Sequence, residues 1–202
     1  MVVIIDYGLG NLASVKKALD FLKIENIITS SINEIKQSSS IILPGVGSFK
    51  QGMENLIKKD LINTLRDEVI NNEKPFLGIC LGMQLIFEKG YEPSECKGLG
   101  WISGEVIKIK NNDNLKIPHL GWNSTRTPEE KVYRDQLDNN FYFIHSYHVK
   151  PQNKNVINTY VHYGEDIIAS IKHKNIFATQ FHPEKSQNAG LDLLKNYFSL
   201  NA

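Results

Sequence analysis

One eleven-residue stretch, KPFLGICLGMQ at residues 74–84, constrains what this chain can fold into more than any other segment. An apolar run at residues 76–79 leads directly into Cys80, and an apolar pattern of helical spacing begins at Leu81. Glycines stand two positions before and two positions after the thiol. This spacing is typical of a sharp strand-to-helix turn that carries a nucleophile, because a Cβ at either glycine would clash. The stretch therefore predicts a strand, then Cys80 at the turn, then a helix.

The predicted turn also bears on the reactivity of Cys80. It places the sulfur at a helix N-terminus, whose partial positive charge favours the thiolate, the reactive form of the side chain. A buried cysteine packed between two glycines is the alternative interpretation, and it is the common one for a lone cysteine. The junction of a strand with a helix favours the nucleophile here.

A second stretch near the C-terminus supplies a base and a group to orient it. An apolar strand at residues 177–181 ends at His182, Pro183 fixes the backbone, and Glu184 follows two residues after the imidazole. Such a carboxylate can accept the imidazole N–H, set the tautomer and stabilise the imidazolium. A surface histidine beside a glutamate would explain this stretch alone. Paired with Cys80, it predicts a catalytic triad of Cys80, His182 and Glu184.

These two stretches resemble the triad glutamine amidotransferases (class I), which pair Gly-Ile-Cys-Leu-Gly-Met-Gln with a distant Phe-His-Pro-Glu. More narrowly, the chain resembles the glutaminase subunits of imidazole glycerol phosphate synthases, which belong to histidine biosynthesis. The narrower resemblance rests on blocks that span nearly the whole chain: DYGLGN at 6–11, LPGVGSF at 43–49, PHLGWN at 118–123, HSY at 145–147 and KS at 185–186.

The resemblance implies an activity and a partner. The chain would hydrolyse glutamine to glutamate and ammonia through a Cys80 thioester, with no cofactor. The ammonia would pass to a (β/α)8 cyclase subunit in a heterodimer, which makes imidazole glycerol phosphate and an aminoimidazole carboxamide ribonucleotide. The resemblance also implies that three residues face the partner: Asn11, Trp122 and Lys185. By composition alone, Trp122 is more readily a core residue.

Substrate contacts are expected on several segments. Gln84 lies one helical turn beyond Cys80 on the same face, because residues i and i+4 of a helix are neighbours, and its amide is suited to bind the substrate amino acid. The resemblance adds Glu92, Ser146 and Tyr147 as glutamine contacts.

A loop after the third predicted strand (residues 40–43) is the candidate oxyanion loop. Two glycines flank Val46 and leave backbone N–H groups free to point at an anion. A tetrahedral intermediate at Cys80 needs such donors, commonly the N–H of the following residue, Leu81, and one from a separate loop. The resemblance implies that this is the oxyanion loop, with Val46 and Gly47 as its donors. A plain turn into a helix at residues 53–69 is the alternative that the sequence leaves open.

Bulk properties bound the remaining possibilities. With 202 residues, one domain spanning residues 1–202 is the default expectation. A net charge of +1 gives no case for nucleic-acid or membrane binding, and no apolar run approaches the roughly 20 residues that span a bilayer. The start lacks a signal peptide's pattern. A nucleophilic thiol and two cysteines without a disulfide framework indicate the cytoplasm, and Cys96 is expected to be inert.

The expected fold is α/β. Strands and helices alternate through residue 88, which predicts a doubly wound, mostly parallel open sheet flanked by helices. Short β-like runs follow at residues 105–110, 141–145, 156–162, 167–172 and 176–180, and a helix at 188–198 ends the chain. We expect these runs to form a β-rich extension of the same domain. In such sheets, ligands bind at the carboxyl ends of the strands, where Cys80 and the loops at residues 8–10 and 45–47 fall.

Two rival sites are rejected on the sequence. Residues 8–13 match the dinucleotide pattern G-x-G-x-x-G/A, but the second strand (residues 26–29) ends without the carboxylate that would hold a ribose. His145 and His148 have the i, i+3 spacing of a metal pair. On one strand this spacing puts them on opposite faces, so we predict no metal site.

Three alternatives to the function stay open. Paralogous glutaminases supply ammonia to other acceptors, for instance in nucleotide-sugar or surface-polysaccharide amidation, and would keep the same triad. A cysteine peptidase would keep Cys80 and His182 without needing Gln84. A non-enzymatic binding module would have no reason to hold a thiol, an imidazole and a carboxylate together.

Overall fold

The fold is built on two β-sheets and six α-helices within the residues that the computed structural model describes, namely 1–110, 115–127 and 139–200. The strands are β1 (Val2–Ile5), β2 (Asn26–Thr29), β3 (Ser40–Gly45), β4 (Phe76–Cys80), β5 (Phe87–Gly90), β6 (Cys96–Lys97), β7 (Ile102–Lys108), β8 (His119–Arg126), β9 (Asn140–His145), β10 (Tyr147–Pro151), β11 (Ile157–Tyr163), β12 (Glu165–His173) and β13 (Ile176–Thr179). The helices are α1 (Leu12–Phe21), α2 (Ile32–Gln37), α3 (Phe49–Lys58), α4 (Ile62–Arg66), α5 (Leu81–Leu85) and α6 (Gln187–Leu200).

The larger sheet has nine strands in the order β2-β1-β3-β4-β13-β12-β11-β8-β9. Its first five strands are parallel to one another, and from β12 onward each strand runs antiparallel to its neighbour. The predicted α/β fold is confirmed. The β-rich extension is continuous with the main sheet, and β10, β7, β5 and β6 form a second, smaller sheet.

The parallel half is buried on both faces. Strands β1, β3 and β4 are buried along their whole length, as expected when helices cover both sides of a sheet. Val2 and Ile4 pack with α1 and α6, whereas Val3 and Ile5 pack with α2, α3 and α4. The alternation along β1 therefore produces the doubly wound arrangement, because successive strand residues point to opposite faces.

The helix predicted at residues 53–69 is wrong in its bounds. Ser48 accepts a hydrogen bond from the Gln51 backbone N–H, so α3 begins at Phe49. The helix ends near Asp60, whose φ of 55° lies in the left-handed region typical of helix C-termini. Helix α4 then continues into one π-helical turn, Asp67–Asn71. Periodicity alone did not reveal this break, because the apolar face continues across it.

The sequence also gave no signal for four strands: β5, β6, β8 and β10. Strand β8 shows the reason, since exposed and polar residues make up most of it and pairing with β9 and β11 defines it instead. None of the helices in the described ranges is long and apolar enough to cross a membrane.

Candidate active site

Cys80 lies on a strained turn between β4 and α5. Its φ of 54° and ψ of −107° are unusual for a residue with a side chain. A Cβ on Gly82 would lie 1.7 Å from the Leu43 carbonyl oxygen, and a Cβ on Gly78 would lie 3.0 Å from the Gly82 carbonyl oxygen. The turn thus needs both glycines for close backbone approach, as the spacing in the sequence predicts.

The helix that follows Cys80 is too short to place a large partial positive charge at the sulfur. Helix α5 has five residues, so few peptide dipoles align behind the sulfur. The helix dipole expected from the sequence is therefore small at Cys80.

The histidine and the glutamate of the predicted triad form a buried pair. The His182 Nδ1 atom lies 2.7 Å from the Glu184 Oε1 atom, and the two side chains are 2% and 1% exposed. Because Glu184 accepts a hydrogen bond from the Nδ1–H group, Nε2 is the nitrogen that can exchange a proton with a thiol. The His182 Nε2 bonds to no nitrogen or oxygen atom of the described residues, and the Cys80 sulfur interacts with this imidazole.

The electrostatics of His182 favour its protonated form. Burial by itself lowers the pKa of the imidazole, but the Cys80 sulfur and the Glu184 carboxylate together outweigh burial and raise that pKa to about 10. A neighbouring negative charge favours imidazolium. The site is therefore suited to a thiolate–imidazolium pair.

Strand β9 and Ser186 hold the turn that carries His182. The Ser186 hydroxyl donates to the His182 carbonyl at 2.6 Å and accepts from the Tyr142 N–H at 3.0 Å. The His182 N–H donates to the Tyr142 carbonyl at 2.9 Å. The sequence predicts no role for Ser186, which enters there only as part of the KS block at residues 185–186.

A cavity of about 370 Å³ opens beside Cys80. All predicted oxyanion and substrate-binding residues line it, although they come from four separate segments. Its lining is Val46, Gly47, Ser48, Cys80, Leu81, Gln84, Glu92, Pro118, Ile144, His145, Ser146 and Tyr147.

Gln84 is buried in the wall of this cavity, and both protons of its side-chain amide are hydrogen-bonded within the protein. Its Nε2 donates to the Tyr147 carbonyl and to the Gln180 Oε1, each at 3.0 Å. What Gln84 can offer a ligand is therefore its Oε1, an acceptor. The amide nitrogen is already used within the protein.

The other predicted substrate residues lie around the same cavity. Burial raises the pKa of the Glu92 carboxyl group, although a backbone hydrogen bond at Phe49 opposes the effect. Burial also raises the pKa of the Tyr147 phenol. Ser146 lies between β9 and β10, and its carbonyl accepts the Ile109 N–H at 2.9 Å.

The predicted oxyanion loop connects β3 with α3. Gly47 has a φ of 126°, a conformation that glycine adopts without strain. Gly45 sits against Tyr7, since a Cβ at residue 45 would lie 2.2 Å from the Tyr7 hydroxyl oxygen. Gly10 packs against Gly45 in turn, so the loop at residues 8–10 adjoins the oxyanion loop.

The three predicted partner-facing residues lie outside the cavity lining. Trp122 is 45% exposed, so the core position that composition favours for it is wrong. Its ring meets the Tyr142 ring edge-on at 6.1 Å, and the Lys185 Nζ lies 5.9 Å from the centre of the same Tyr142 ring. Asn11 is partly exposed and precedes α1.

Exposed apolar side chains extend from the cavity lining along β8 and β9. We call Val46, Leu120, Trp122 and Ile144 the apolar rim; all four are between 38% and 58% exposed. Leu120 pairs directly with Ile144 across β8 and β9, and Trp122 lies on the same face of β8 as Leu120. Val46 and Ile144 also line the cavity, so the rim is continuous with the site.

His145 and His148 do not lie on one strand, so the premise that rejected a metal site by placing them on opposite faces of one strand was wrong. His145 ends β9 and His148 lies in β10, with Ser146 between the strands. His145 instead pairs with His119, whose Nδ1 lies 3.0 Å from the His145 Nε2. This buried pair behind the cavity has no signature in the sequence.

Comparison with known proteins places this geometry in a family. The sequence model described as "Glutamine amidotransferase class-I" matches residues 3–200. The chain belongs to this family. A class-I glutamine amidotransferase is an enzyme of the kind that the triad predicts. The matched residues include Cys80 as well as His182 and Glu184.

The curated relatives have more specific descriptions than the family model. The chain is 46% identical to "Imidazole glycerol phosphate synthase subunit HisH 1" of Campylobacter jejuni over 202 residues, which cover 99% of this chain and 100% of the relative. It is 43% identical to "Imidazole glycerol phosphate synthase subunit HisH" of Pelagibacter ubique, over 98% of this chain and 99% of the relative. The predicted resemblance to such subunits is confirmed.

Solved structures agree on the fold. A crystal structure described as a glutamine amidotransferase superimposes with a TM-score of 0.74 over 100% of this chain and 99% of the other. At 16% identity, this likeness bears on the fold alone.

Proposed function

We propose that this class-I glutamine amidotransferase is the glutaminase subunit of an imidazole glycerol phosphate synthase, and that it supplies ammonia for histidine biosynthesis. The observation that carries the proposal is the arrangement of Cys80 on its strained turn with His182 and Glu184 behind it. This arrangement opens into a cavity lined by every predicted substrate residue.

The first half of the reaction forms a thioester. His182 takes the thiol proton, and the Cys80 thiolate attacks the carboxamide carbon of glutamine. Negative charge develops on the carboxamide oxygen, and backbone N–H groups at Val46, Gly47 and Leu81 are the proposed donors. Losing one such donor typically costs roughly 2.7–4 kcal/mol of barrier. His182 then gives its proton to the departing ammonia.

The second half releases glutamate. Water enters the cavity, His182 removes one of its protons, and the resulting hydroxide attacks the thioester carbon. The Cys80–carbon bond breaks, glutamate leaves, and His182 returns the proton that it took from water to the departing thiolate, which restores the thiol. Glu184 holds the imidazole in the tautomer that serves both halves, because it accepts a hydrogen bond from the Nδ1–H group at 2.7 Å.

Recognition of glutamine uses the chemistry of the cavity wall. The Gln84 Oε1 can only accept hydrogen bonds, so its partner is a donor such as the α-ammonium group of the substrate. The Glu92 carboxylate suits the same ammonium group. Ser146 and Tyr147 complete the proposed contacts.

The ammonia needs an acceptor at once, because free ammonia protonates at neutral pH. We propose a (β/α)8 cyclase subunit that docks on the apolar rim, with Asn11, Trp122 and Lys185 at the contact. Exposed apolar patches continuous with a site are typical of interaction surfaces. Docking there would cover the cavity mouth and direct ammonia into the partner. We place this complex in the cytoplasm, and we take residues 1–202 as one domain.

The test measures glutamate release by the purified chain alone, and then with a cognate cyclase subunit and its phosphorylated ribulosyl ligand. We expect low release by the chain alone and strong stimulation by the liganded partner. The Cys80→Ala variant should lose the activity under both conditions. Unchanged turnover in this variant would refute the mechanism.

The acceptor and the chemistry can fail separately. If the chain releases glutamate but no cyclase binds or stimulates it, the glutaminase mechanism stands and the ammonia serves another acceptor, such as a nucleotide-sugar amidating enzyme. Full activity in a Gln84→Ala variant would instead favour a peptidase-like hydrolase.

A further inference from the structure

Gln180 contacts the reacting sulfur atom. It lies directly after β13, two residues before His182, and its side chain is fully buried. Its Nε2 lies 3.6 Å from the Cys80 Sγ, and its Oε1 lies 3.0 Å from the Gln84 Nε2. Gln180 therefore joins the nucleophile to the cavity wall.

A backbone carbonyl fixes the orientation of both amides. The Tyr147 carbonyl can only accept, so the Gln84 atom that faces it at 3.0 Å must be the amide nitrogen. The same nitrogen donates its second proton to Gln180, which must therefore present its oxygen to Gln84. The Gln180 nitrogen is then the atom that faces the sulfur, and the opposite orientation would set two donors against each other.

The sulfur lies between two groups of opposite character. The Ile144 carbonyl oxygen is 3.8 Å from the Cys80 Sγ and accepts a hydrogen bond from the S–H group of the thiol form. The same oxygen would repel a thiolate. The Gln180 N–H has the reverse preference, because a donor stabilises a negative charge more than a neutral thiol.

We propose that Gln180 stabilises the Cys80 thiolate by a side-chain hydrogen bond whose direction is set by Gln84 and the Tyr147 carbonyl. This role compensates for the shortness of α5 and for the Ile144 carbonyl. It rests on the proposed function only in taking Cys80 as the nucleophile. It makes Gln84 a positioning residue for the sulfur as well as a proposed substrate contact.

The titratable groups that face Cys80 in the described chain are His182, after β13, and Tyr7, after β1. Glu184 acts on the sulfur through His182. A substitution at residue 180 leaves all three in place. A change in thiol titration can therefore be assigned to the lost hydrogen bond.

The test is the rate of Cys80 alkylation by iodoacetamide as a function of pH, measured on the whole chain. A Cys96→Ser background removes the only other thiol of the sequence. Gln180→Met keeps most of the side-chain volume and removes the donor. We expect its alkylation rate at pH 6.5 to fall about tenfold, and the midpoint of the rate profile to move to higher pH, because the donor to the sulfur is lost.

The matched control is Ser170→Ala on β12. Ser170 is also buried, and the change removes its contacts with Asn158 at 3.0 Å and Thr159 at 2.6 Å. General loosening of the buried network would follow in both variants, but only Gln180→Met should move the alkylation midpoint. An unchanged midpoint in folded Gln180→Met, or an equal shift in Ser170→Ala, would overturn the inference.

A measurement on the unsubstituted residue 180 guards against a variant that does not fold. The side-chain amide proton resonances of Gln180 should shift with pH at the same midpoint as Cys80 alkylation. Resonances that do not respond to the thiol would also overturn the inference. Neither measurement uses glutamine or a partner, so a failed glutaminase assay would refute the proposed function without affecting this result.

Discussion

The His119 Nδ1 lies 3.0 Å from the His145 Nε2, and the surrounding bonds determine which atom carries the proton. The His145 Nδ1 donates to the Tyr147 carbonyl at 2.9 Å, so its Nε2 accepts from His119. The His119 Nε2 is then an acceptor for the Asn123 amide at 3.3 Å. Both imidazoles are therefore neutral. Burial lowers the pKa of His145 to about 3 and that of His119 to about 4.

This neutral pair makes the fold sensitive to acid. Below about pH 6.5 the unfolded chain takes up protons that the folded chain excludes until about pH 4, so the free energy of unfolding must fall over that interval. Urea unfolding between pH 7.5 and pH 4.5 should show the loss. A His119→Phe variant, which keeps the stacking on Phe143 and Tyr163, should show a shallower pH dependence although it is less stable at neutral pH. An equal slope in the variant would contradict this account.

Replacing the triad carboxylate should lower both the activity and the pKa of His182. Glu184→Gln keeps a hydrogen-bond acceptor but removes the charge that helps to raise this pKa to about 10. We expect glutamate release to fall by roughly 10²-fold or more, as when general acid–base catalysis is lost. The stability that the protonated imidazole contributes is complete below about pH 6.5 and is lost as pH rises towards 10; in the variant, this loss begins at lower pH.

The measurement for Glu184→Gln is an NMR titration of the His182 ring together with single-turnover glutaminase rates. Unfolding curves at pH 6 and pH 9 test the stability term. A variant with an unchanged His182 pKa would show that the carboxylate has no electrostatic role.

The nucleophile turn should not tolerate a methyl group at residue 82. In Gly82→Ala the new Cβ would meet the Leu43 carbonyl oxygen at 1.7 Å, and backbone atoms cannot rotate away. We expect a loss of about 3 kcal/mol or more in the free energy of unfolding, at the upper end of overpacking costs. Gly52→Ala is the matched control, because its Cβ would meet only the flexible side-chain ends of Leu85 at 3.0 Å and Leu81 at 3.3 Å, and no backbone atom within that distance. Equal stability of the two variants would show that the turn relaxes.

The apolar rim should matter for binding rather than for folding. Trp122 is 45% exposed, so Trp122→Ala should change the free energy of unfolding by less than about 0.5 kcal/mol. Tryptophans at interfaces often contribute about 2 kcal/mol or more, so cyclase affinity should weaken roughly 30-fold. Phe21→Ala is the control, since Phe21 is 72% exposed at the far end of α1. Calorimetric titration of each variant with the cyclase measures this affinity. Equal affinities of Trp122→Ala and Phe21→Ala would show that the partner binds elsewhere.

The sequence predicted the catalytic apparatus because local rules govern it. Only glycine at residue 82 permits the close approach to the Leu43 backbone. The glycine spacing around Cys80 therefore predicts the turn. The same holds for His182 and Glu184, which one short turn brings within 2.7 Å. The prediction of a single domain over residues 1–202 stays a prediction.

The tertiary structure decided what surrounds that apparatus. Gln180 and Cys80 are 100 residues apart, and His119 and His145 are 26 apart, so their contacts depend on strand order and register. Strand β8 could be identified only from its pairing with β9 and β11. The sequence by itself predicted the triad of Cys80, His182 and Glu184, because motif spacing encodes backbone geometry. Which donors and acceptors face the sulfur followed only from the packing of distant strands, since a one-residue slip in register would turn those side chains to the other face.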